Sequence, residues 1–145
     1  MYHFIESGLS NIWLRNGYTE ENSPYGPTVA FEDIFGLHRA IAHALIERNG
    51  VLAGEEIRFL RQHMELSQES LGNLIGIGVQ SVALWEKNRS RITATAEKLL
   101  RLIVRGHLSG NATIRRAIDA LNHLDATAHA DKLVFETQGG GWHVA

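Results

Sequence analysis

The sequence contains no cysteine, only two prolines and no long run of apolar residues. Without cysteine, the 145-residue chain has no disulfide, no thiolate zinc site and no cysteine nucleophile. Its apolar runs fall well short of the roughly 20 residues that a membrane-spanning helix needs, and its N-terminus has neither the basic nor the apolar region of a signal peptide. We therefore expect a cytoplasmic protein without a membrane partner.

Catalytic and metal-binding motifs are also missing. Serine, histidine and aspartate all occur, but the sequence has no GxSxG elbow, HExxH helix, P-loop or paired-carboxylate motif. Among the eight histidines, His38 and His43 are five positions apart, a spacing that does not align two side chains on one helical face. We expect no enzyme activity, no metal and no other cofactor.

Charged residues are common but unevenly distributed. The formal net charge is −2, yet residues 1–57 hold eight acidic and three basic side chains, whereas residues 86–116 hold eight basic and two acidic ones. Such an uneven charge distribution is typical of a protein in which one part contacts a polyanion and another part contacts a different partner. The basic segment is therefore the candidate for contact with phosphate groups.

Residues 1–50 predict a small α+β module. Short aromatic and β-branched runs, YHFIES and NIWLRNGY, predict a hairpin, ENSPYGP predicts a loop, and TVAFE predicts a third strand. We expect these strands to form one small three-stranded sheet. A helix follows in DIFGLHRAIAHALIERNG, and its Asn-Gly pair ends it. The inward stripe of this helix is predicted to contain Ile34, Leu37, Ile41, Leu45 and Ile46.

Residues 51–106 predict four successive helices. Their sequences are EEIRFLRQHM, QESLGNLI, VQSVALWEKN and TATAEKLLRLIVRG, with Ser67 capping the second and Thr93 or Thr95 capping the fourth. Residues 107–145 add a helix, ATIRRAIDALNHL, and a hairpin formed by KLVFE and WHVA around a glycine-rich turn. The expected fold is mainly α, with a small α+β N-terminal module and a C-terminal helix plus hairpin.

The second and third of these helices carry the pattern of a helix-turn-helix. Such a unit needs a first helix, a tight turn that often contains glycine, and a second helix whose outward side chains reach base edges. Residues 76–78 supply the turn, while Leu71, Val82 and Trp85 are spaced to supply the apolar contacts beneath it.

The run LSQESLGNLIGIGVQSVALWEKNRS resembles the Xre or phage-repressor type of helix-turn-helix, a five-helix DNA-binding fold. The residues that match its usual pattern without a gap are Leu66, Ser67, Gln68, Glu69, Leu71, Gly76, Ile77, Trp85 and Glu86. The chain departs from the pattern at Gly72, where the family usually has alanine, and at Gly78, where it often has serine. The resemblance implies that residues 51–106 bind double-stranded DNA as a dimer, with half-sites about one turn, roughly 34 Å, apart.

Carried over to this sequence, the resemblance assigns DNA contacts to two groups of residues. Base contacts are expected from the front of the recognition helix, at Val79, Gln80, Ser81, Ala83 and Leu84. Only Gln80 among them has an amide that pairs bidentately with adenine, and the apolar ones would pack on thymine methyls, so we expect half-sites that contain A·T pairs. Phosphate contacts are expected from Gln68, Lys87, Asn88, Arg89, Ser90 and Arg91.

The same stretch also resembles the DNA-binding half of MqsA-type and HigA-type antitoxins, bacterial repressors of their own toxin-antitoxin operons. MqsA-type proteins have a zinc-binding N-terminal half with paired CxxC motifs, which this cysteine-free chain does not match. We expect a transcriptional autorepressor on a palindromic operator, either with a toxin partner or as a phage- or island-borne repressor without one. Alternatively, acidic residues 1–50 form an interaction module that neutralises a basic toxin. Two segments stay open as the dimer interface: residues 114–144 and the N-terminal sheet.

Overall fold

The computed structural model describes residues 1–110, 112–114, 116–117, 120 and 132–145. The described part contains a short 3-10 helix, Ile5–Ser7, and the α-helices α1 Ile34–Glu47, α2 Gly54–His63, α3 Gln68–Ile75, α4 Val79–Glu86 and α5 Ala94–Ser109. Six short strands of the same part form three antiparallel hairpins: β1 Tyr2–His3 with β2 Trp13–Leu14, β3 Tyr18–Ser23 with β4 Gly26–Phe31, and β5 Phe135–Thr137 with β6 Trp142–Val144. The fold is therefore mixed, with helices in the majority and small sheets, as the sequence predicts at this coarse level.

The predicted C-terminal helix is described only in part. Residues 112–114, 116–117 and 120 are helical, and the rest of this predicted helix lies outside the described residues. In the part of the chain that is described, no helix has the length and apolar character needed to cross a membrane.

The N-terminal strands form two separate hairpins, so the single three-stranded sheet that the sequence predicts is wrong. β1 pairs with β2 as predicted, but β3 and β4 form a sheet of their own. Most of the predicted loop ENSPYGP belongs to these two strands, and only Pro24 and Tyr25 form the turn between them. The Ser23 hydroxyl donates a hydrogen bond to the Gly26 carbonyl oxygen at 2.7 Å and accepts one from the Tyr25 N–H at 3.2 Å. This local turn chemistry sets the register of β3 and β4.

Three of the described helices begin at a side-chain cap. Asp33 caps α1, Ser67 caps α3 and Thr93 caps α5, each by accepting a hydrogen bond from the backbone N–H three residues further on. Caps of this kind contribute about 1 kcal/mol each. The Ser67 cap is confirmed, and Thr93 rather than Thr95 caps α5. Helix α5 continues to Ser109, past the predicted domain boundary at residue 106.

One cluster of buried apolar side chains extends through the N-terminal module and the helices. Phe4, Leu9 and Leu14 connect the β1–β2 hairpin to it, and α1 packs against both α2 and α5. Ile34, which the sequence places on the inward stripe of α1, is exposed because it lies in the first turn of that helix. The helical members of the cluster include Ile41, Leu45, Ile57, Leu60, Leu71, Val82, Trp85, Leu100 and Val104. The predicted module and the predicted helix-turn-helix thus share one core.

Candidate nucleic-acid interface

Helices α3 and α4 meet at a short turn built around Gly76. Gly76 has the left-handed φ of 81° that favours glycine, and its N–H donates to the Gly72 carbonyl oxygen at 2.8 Å. The Ile77 N–H donates to the same oxygen at 2.8 Å, so α3 is closed before α4 begins at Val79. The predicted glycine-containing turn between two helices is therefore confirmed.

The two departures from the helix-turn-helix pattern have different structural meanings. A Cβ atom added at Gly72 would come within 2.5 Å of the Ile77 carbonyl oxygen, closer than real Cβ contacts. Glycine inside a helix costs roughly 0.5–1 kcal/mol relative to alanine, but here the close approach of the turn requires it. Gly78 is the N-cap of α4 and supplies no side-chain hydrogen bond to that helix.

The inner face of α4 is fixed in the core. Val82 has no exposed surface and Trp85 is 4% exposed, and both belong to the same buried cluster as Leu71 of α3. The sequence prediction that these three side chains are buried is confirmed. Because they hold one side of α4, the direction in which the opposite side faces is also determined.

The residues predicted to contact bases differ in how far they are exposed. Val79, Gln80 and Leu84 are exposed, whereas Ser81 and Ala83 are half-buried. The accessible surface of α4 therefore consists mainly of one amide and two branched apolar side chains. This combination is able to recognise adenine edges and thymine methyls, and it carries no charge.

Glu86, at the end of α4, is held by an ion pair that the sequence analysis missed. Its two carboxylate oxygens accept bonds from the guanidinium of Arg61 in α2, at 2.7 Å from Nε and 2.9 Å from Nη2. The exposed fractions of these side chains are 12% for Arg61 and 4% for Glu86. Gln68 donates its amide to the same carboxylate at 3.2 Å, so the group predicted to contact phosphate is engaged inside the protein.

Asn88 also has a structural role that differs from the predicted phosphate contact. Its φ of 57° places it in the left-handed region, where the chain leaves α4. Its Oδ1 accepts a hydrogen bond from the Gly54 N–H at 2.9 Å, and its Nδ2 donates to Glu55 at 2.7 Å. Oδ1 and Nδ2 of the amide therefore both contact the first turn of α2. The phosphate contact of Asn88 stays a prediction.

The remaining predicted phosphate-contacting residues are exposed. Lys87, Arg89, Ser90 and Arg91 lie in the segment between α4 and α5. Within the described residues, the three cationic side chains among them form no ion pair. A group of cations that no described residue pairs with, here called the free cations, thus lies directly beyond the end of α4.

Two other cations of the basic segment are already paired. The guanidinium of Arg101 donates to the carbonyl oxygens of residues 46, 48 and 50, at 3.0, 2.8 and 2.7 Å, and also pairs with Glu97. Arg105 pairs with Glu47 at 2.7 Å. These two arginines hold the end of α1 against α5, and their charges are already neutralised there. The number of basic residues in the sequence therefore overstates the cationic surface that is available to a ligand.

A shallow cavity adjoins the free cations. It has a volume of about 340 Å³ and lies between the start of α2 and the segment that follows α4. Ile57 and Trp85 contribute apolar wall, while Arg89 and Arg91 contribute cationic lining. The cavity thus marks a concave edge of the exposed surface at the C-terminal end of α4.

Comparison with known proteins adds no family to these observations. No family model matches the chain, and no match is found among curated proteins or solved structures. The assignment of a function depends on the geometry and charge of the described residues.

Proposed function

We propose that this protein is a sequence-specific DNA-binding transcriptional regulator that binds a palindromic operator as a dimer and represses its own promoter. The observation that carries the proposal is the placement of α4. Val82 and Trp85 anchor one side of it in the core, its other side is exposed, and free cations lie beyond its end. A helix presented in this way fits the width of the major groove of B-DNA.

Recognition of the operator sequence in this proposal depends on Gln80. Its amide is able to donate to N7 and accept from N6 of adenine in a bidentate pair, which discriminates against other bases by about 1–3 kcal/mol. Val79 and Leu84 lie on the same exposed surface and would contact thymine methyl groups. The half-sites are therefore expected to contain A·T pairs.

Affinity depends on the cations instead. Lys87, Arg89 and Arg91 would neutralise phosphates and release counterions, a contribution that falls as salt concentration rises. A dimer bound across its own promoter would exclude the polymerase by occupancy alone. The proposal requires no cofactor.

Fluorescence anisotropy of the full-length protein with duplex DNA from upstream of its own coding region tests the proposal. We expect saturable binding at low salt. The slope of log affinity against log salt concentration should become shallower by about one unit for each phosphate contact that Arg89→Ala or Arg91→Ala removes. Arg105→Ala is the matched control, because its charge is already paired with Glu47, and its slope should equal that of the wild type. Absence of binding to any duplex, or one common slope for all variants, contradicts the proposal.

A second candidate function is the neutralisation of a basic toxin by the N-terminal module. The observation that favours it is the exposure of Glu20 and Glu21 on β3 and of Glu32 beyond β4, none of which forms an ion pair with a described residue. An acidic surface of this kind would complement a cationic partner. The discriminating observation is whether a small basic open reading frame adjoins the gene. If no such reading frame adjoins the gene, a repressor that has no toxin partner is the favoured function.

A further inference from the structure

The C-terminal hairpin β5–β6 has one apolar face and one polar face. Phe135 lies opposite Val144, and Thr137 lies opposite Trp142, so these four side chains share a face. The intervening pair, Glu136 and His143, lies on the other face, where Nε2 of His143 and a carboxylate oxygen of Glu136 are within hydrogen-bond distance at 3.2 Å. The hairpin is thus amphipathic even though each strand has only three residues.

The apolar face of this hairpin is open to solvent. Phe135 is 54% exposed, Trp142 is 77% exposed and Val144 is 61% exposed. Two-stranded hairpins are marginally stable alone in water, and contiguous exposed apolar side chains usually mark an interaction surface. A hairpin with this composition gains stability when its apolar face is covered.

We propose that the apolar face of β5–β6 is the homodimer interface, where it stacks on the same face of a second copy across a two-fold axis. In such an interface each patch meets its own copy, so any charge on the axis meets a like charge. The apolar face carries no charge, because Glu136 and His143 lie on the opposite side. The inference deepens the proposed function, since dimeric operator binding requires an interface.

The other candidate for the dimer interface suits a second copy less well. The β3–β4 hairpin exposes Glu20 on one face and Glu21 on the other, so a two-fold axis through either face would bring one of these acids toward its counterpart. Like charges juxtaposed in an interface are unfavourable. Of the two segments that the sequence leaves open, the C-terminal one is therefore the one that fits a copy of itself.

The size of the apolar face is also sufficient for a dimer. A fully buried Phe or Trp covers about 150–250 Å², and 54% of Phe135 and 77% of Trp142 are still exposed and available for burial. With Val144 and the exposed Leu133 just before β5, two copies would bury about 1,000 Å² in total, near the lower limit for a specific interface. Two stacked sheets would lie about 10 Å apart.

Cross-linking of the full-length protein tests which face of the β5–β6 hairpin forms the dimer interface. Because the chain has no cysteine, a single introduced thiol reports one position without background. Thr137→Cys places it on the apolar face and Glu136→Cys, its neighbour, places it on the polar face. With a bismaleimide that spans about 10 Å, we expect covalent dimers from Thr137→Cys at least about tenfold faster than from Glu136→Cys. Equal rates for the two variants would overturn the inference.

Sedimentation of the full-length protein without DNA tests the energetics. Phe135→Lys puts a charge on the apolar face and should raise the dimer dissociation constant by about 100-fold or more, whereas Val134→Lys, on the opposite face, should leave it unchanged. A wild-type protein that is monomeric at about 100 µM, or a Phe135→Lys variant that dimerises normally, would overturn the inference. Helical circular dichroism confirms that each variant is folded. Since no DNA is present, these outcomes are independent of the proposed DNA binding.

Discussion

The carboxylate of Glu86 connects three helices at a place that water barely reaches. It accepts two hydrogen bonds from Arg61 of α2 and one from Gln68 of α3, while belonging itself to α4. Removing one partner of a buried ion pair leaves the other charge without compensation, which costs far more than the loss of an exposed pair. This one side chain therefore adds polar contacts to the apolar ones of Val82 and Trp85 that hold α4 against α2 and α3.

We expect Glu86→Ala to lower the free energy of unfolding by about 3–5 kcal/mol, because the Arg61 guanidinium stays buried without its partner. Urea denaturation followed by tryptophan fluorescence measures the change. Arg48→Ala is the control, since its ion pair with Glu56 spans 3.6 Å and its own side chain is 56% exposed; its loss should be under about 1 kcal/mol. Equal losses in the two variants would show that the Arg61–Glu86 pair is not buried in solution.

A second prediction at this scale concerns sequence discrimination. Gln80→Ala removes the one exposed amide of α4 and should cost about 1–3 kcal/mol per half-site, with discrimination reduced at a single base pair. Gln62→Ala, which removes an exposed glutamine from α2, is the matched control and should bind as the wild type does. The ratio of affinities for the operator and a scrambled duplex is the measurement. A ratio that Gln80→Ala leaves unchanged would refute base contact by this residue.

At the scale of elements, local signals in the sequence predict the helices well. Helix α3 has the predicted bounds because Ser67 caps its start and Gly76 ends it in the left-handed conformation. Helix α4 ends earlier than the run VQSVALWEKN suggests, because Asn88 adopts a positive φ and turns toward α2. Periodicity shows which side of α4 is buried, and hence which side is exposed, from the sequence alone.

The strands are predicted less well, for a physical reason. β3 has the sequence YTEENS, which is mostly exposed and lacks the alternation of apolar and polar residues that marks a half-buried strand. Its pairing with β4 depends on the tight turn at Pro24 and Tyr25 instead. In the same way, the Arg61–Glu86 pair joins residues 25 positions apart, and no periodicity within one helix reveals such a contact. Local patterns in the sequence therefore do not predict these tertiary contacts.

At the scale of the whole molecule, a row of aromatic and imidazole rings crosses three helices. His63 of α2 lies 5.9 Å from His107 of α5, measured between ring centroids, and Phe59 lies between His63 and His38 of α1. Partial burial lowers the pKa of His63 below its ordinary value of 6.5, and His107, His38 and the nearby Arg39 lower it further. Protonation of His63 is therefore less favourable in the folded protein than in the unfolded chain.

This row predicts that acid weakens the fold. The unfolded chain binds a proton at His63 more readily than the folded chain does, so stability should fall as the pH drops through about 6.5 and below. We expect the melting temperature to decrease from about pH 7.5 to about pH 5.5, and His63→Gln to reduce that dependence. His43→Gln, at an exposed position of α1, should keep the full dependence. A His63→Gln protein as acid-sensitive as His43→Gln would disprove this account.

Because residues 1–50 and the helices around α4 share one core, loss of the N-terminal part is expected to destabilise the rest of the protein. Helix α1 covers α2 and α5, and its final carbonyl groups hold Arg101. A protease that clips away the first 50 residues would thus uncover the helices that support α4 and release that arginine. On the proposed function, degradation of the N-terminal part also frees the promoter, without any signal that acts on the DNA-facing surface itself.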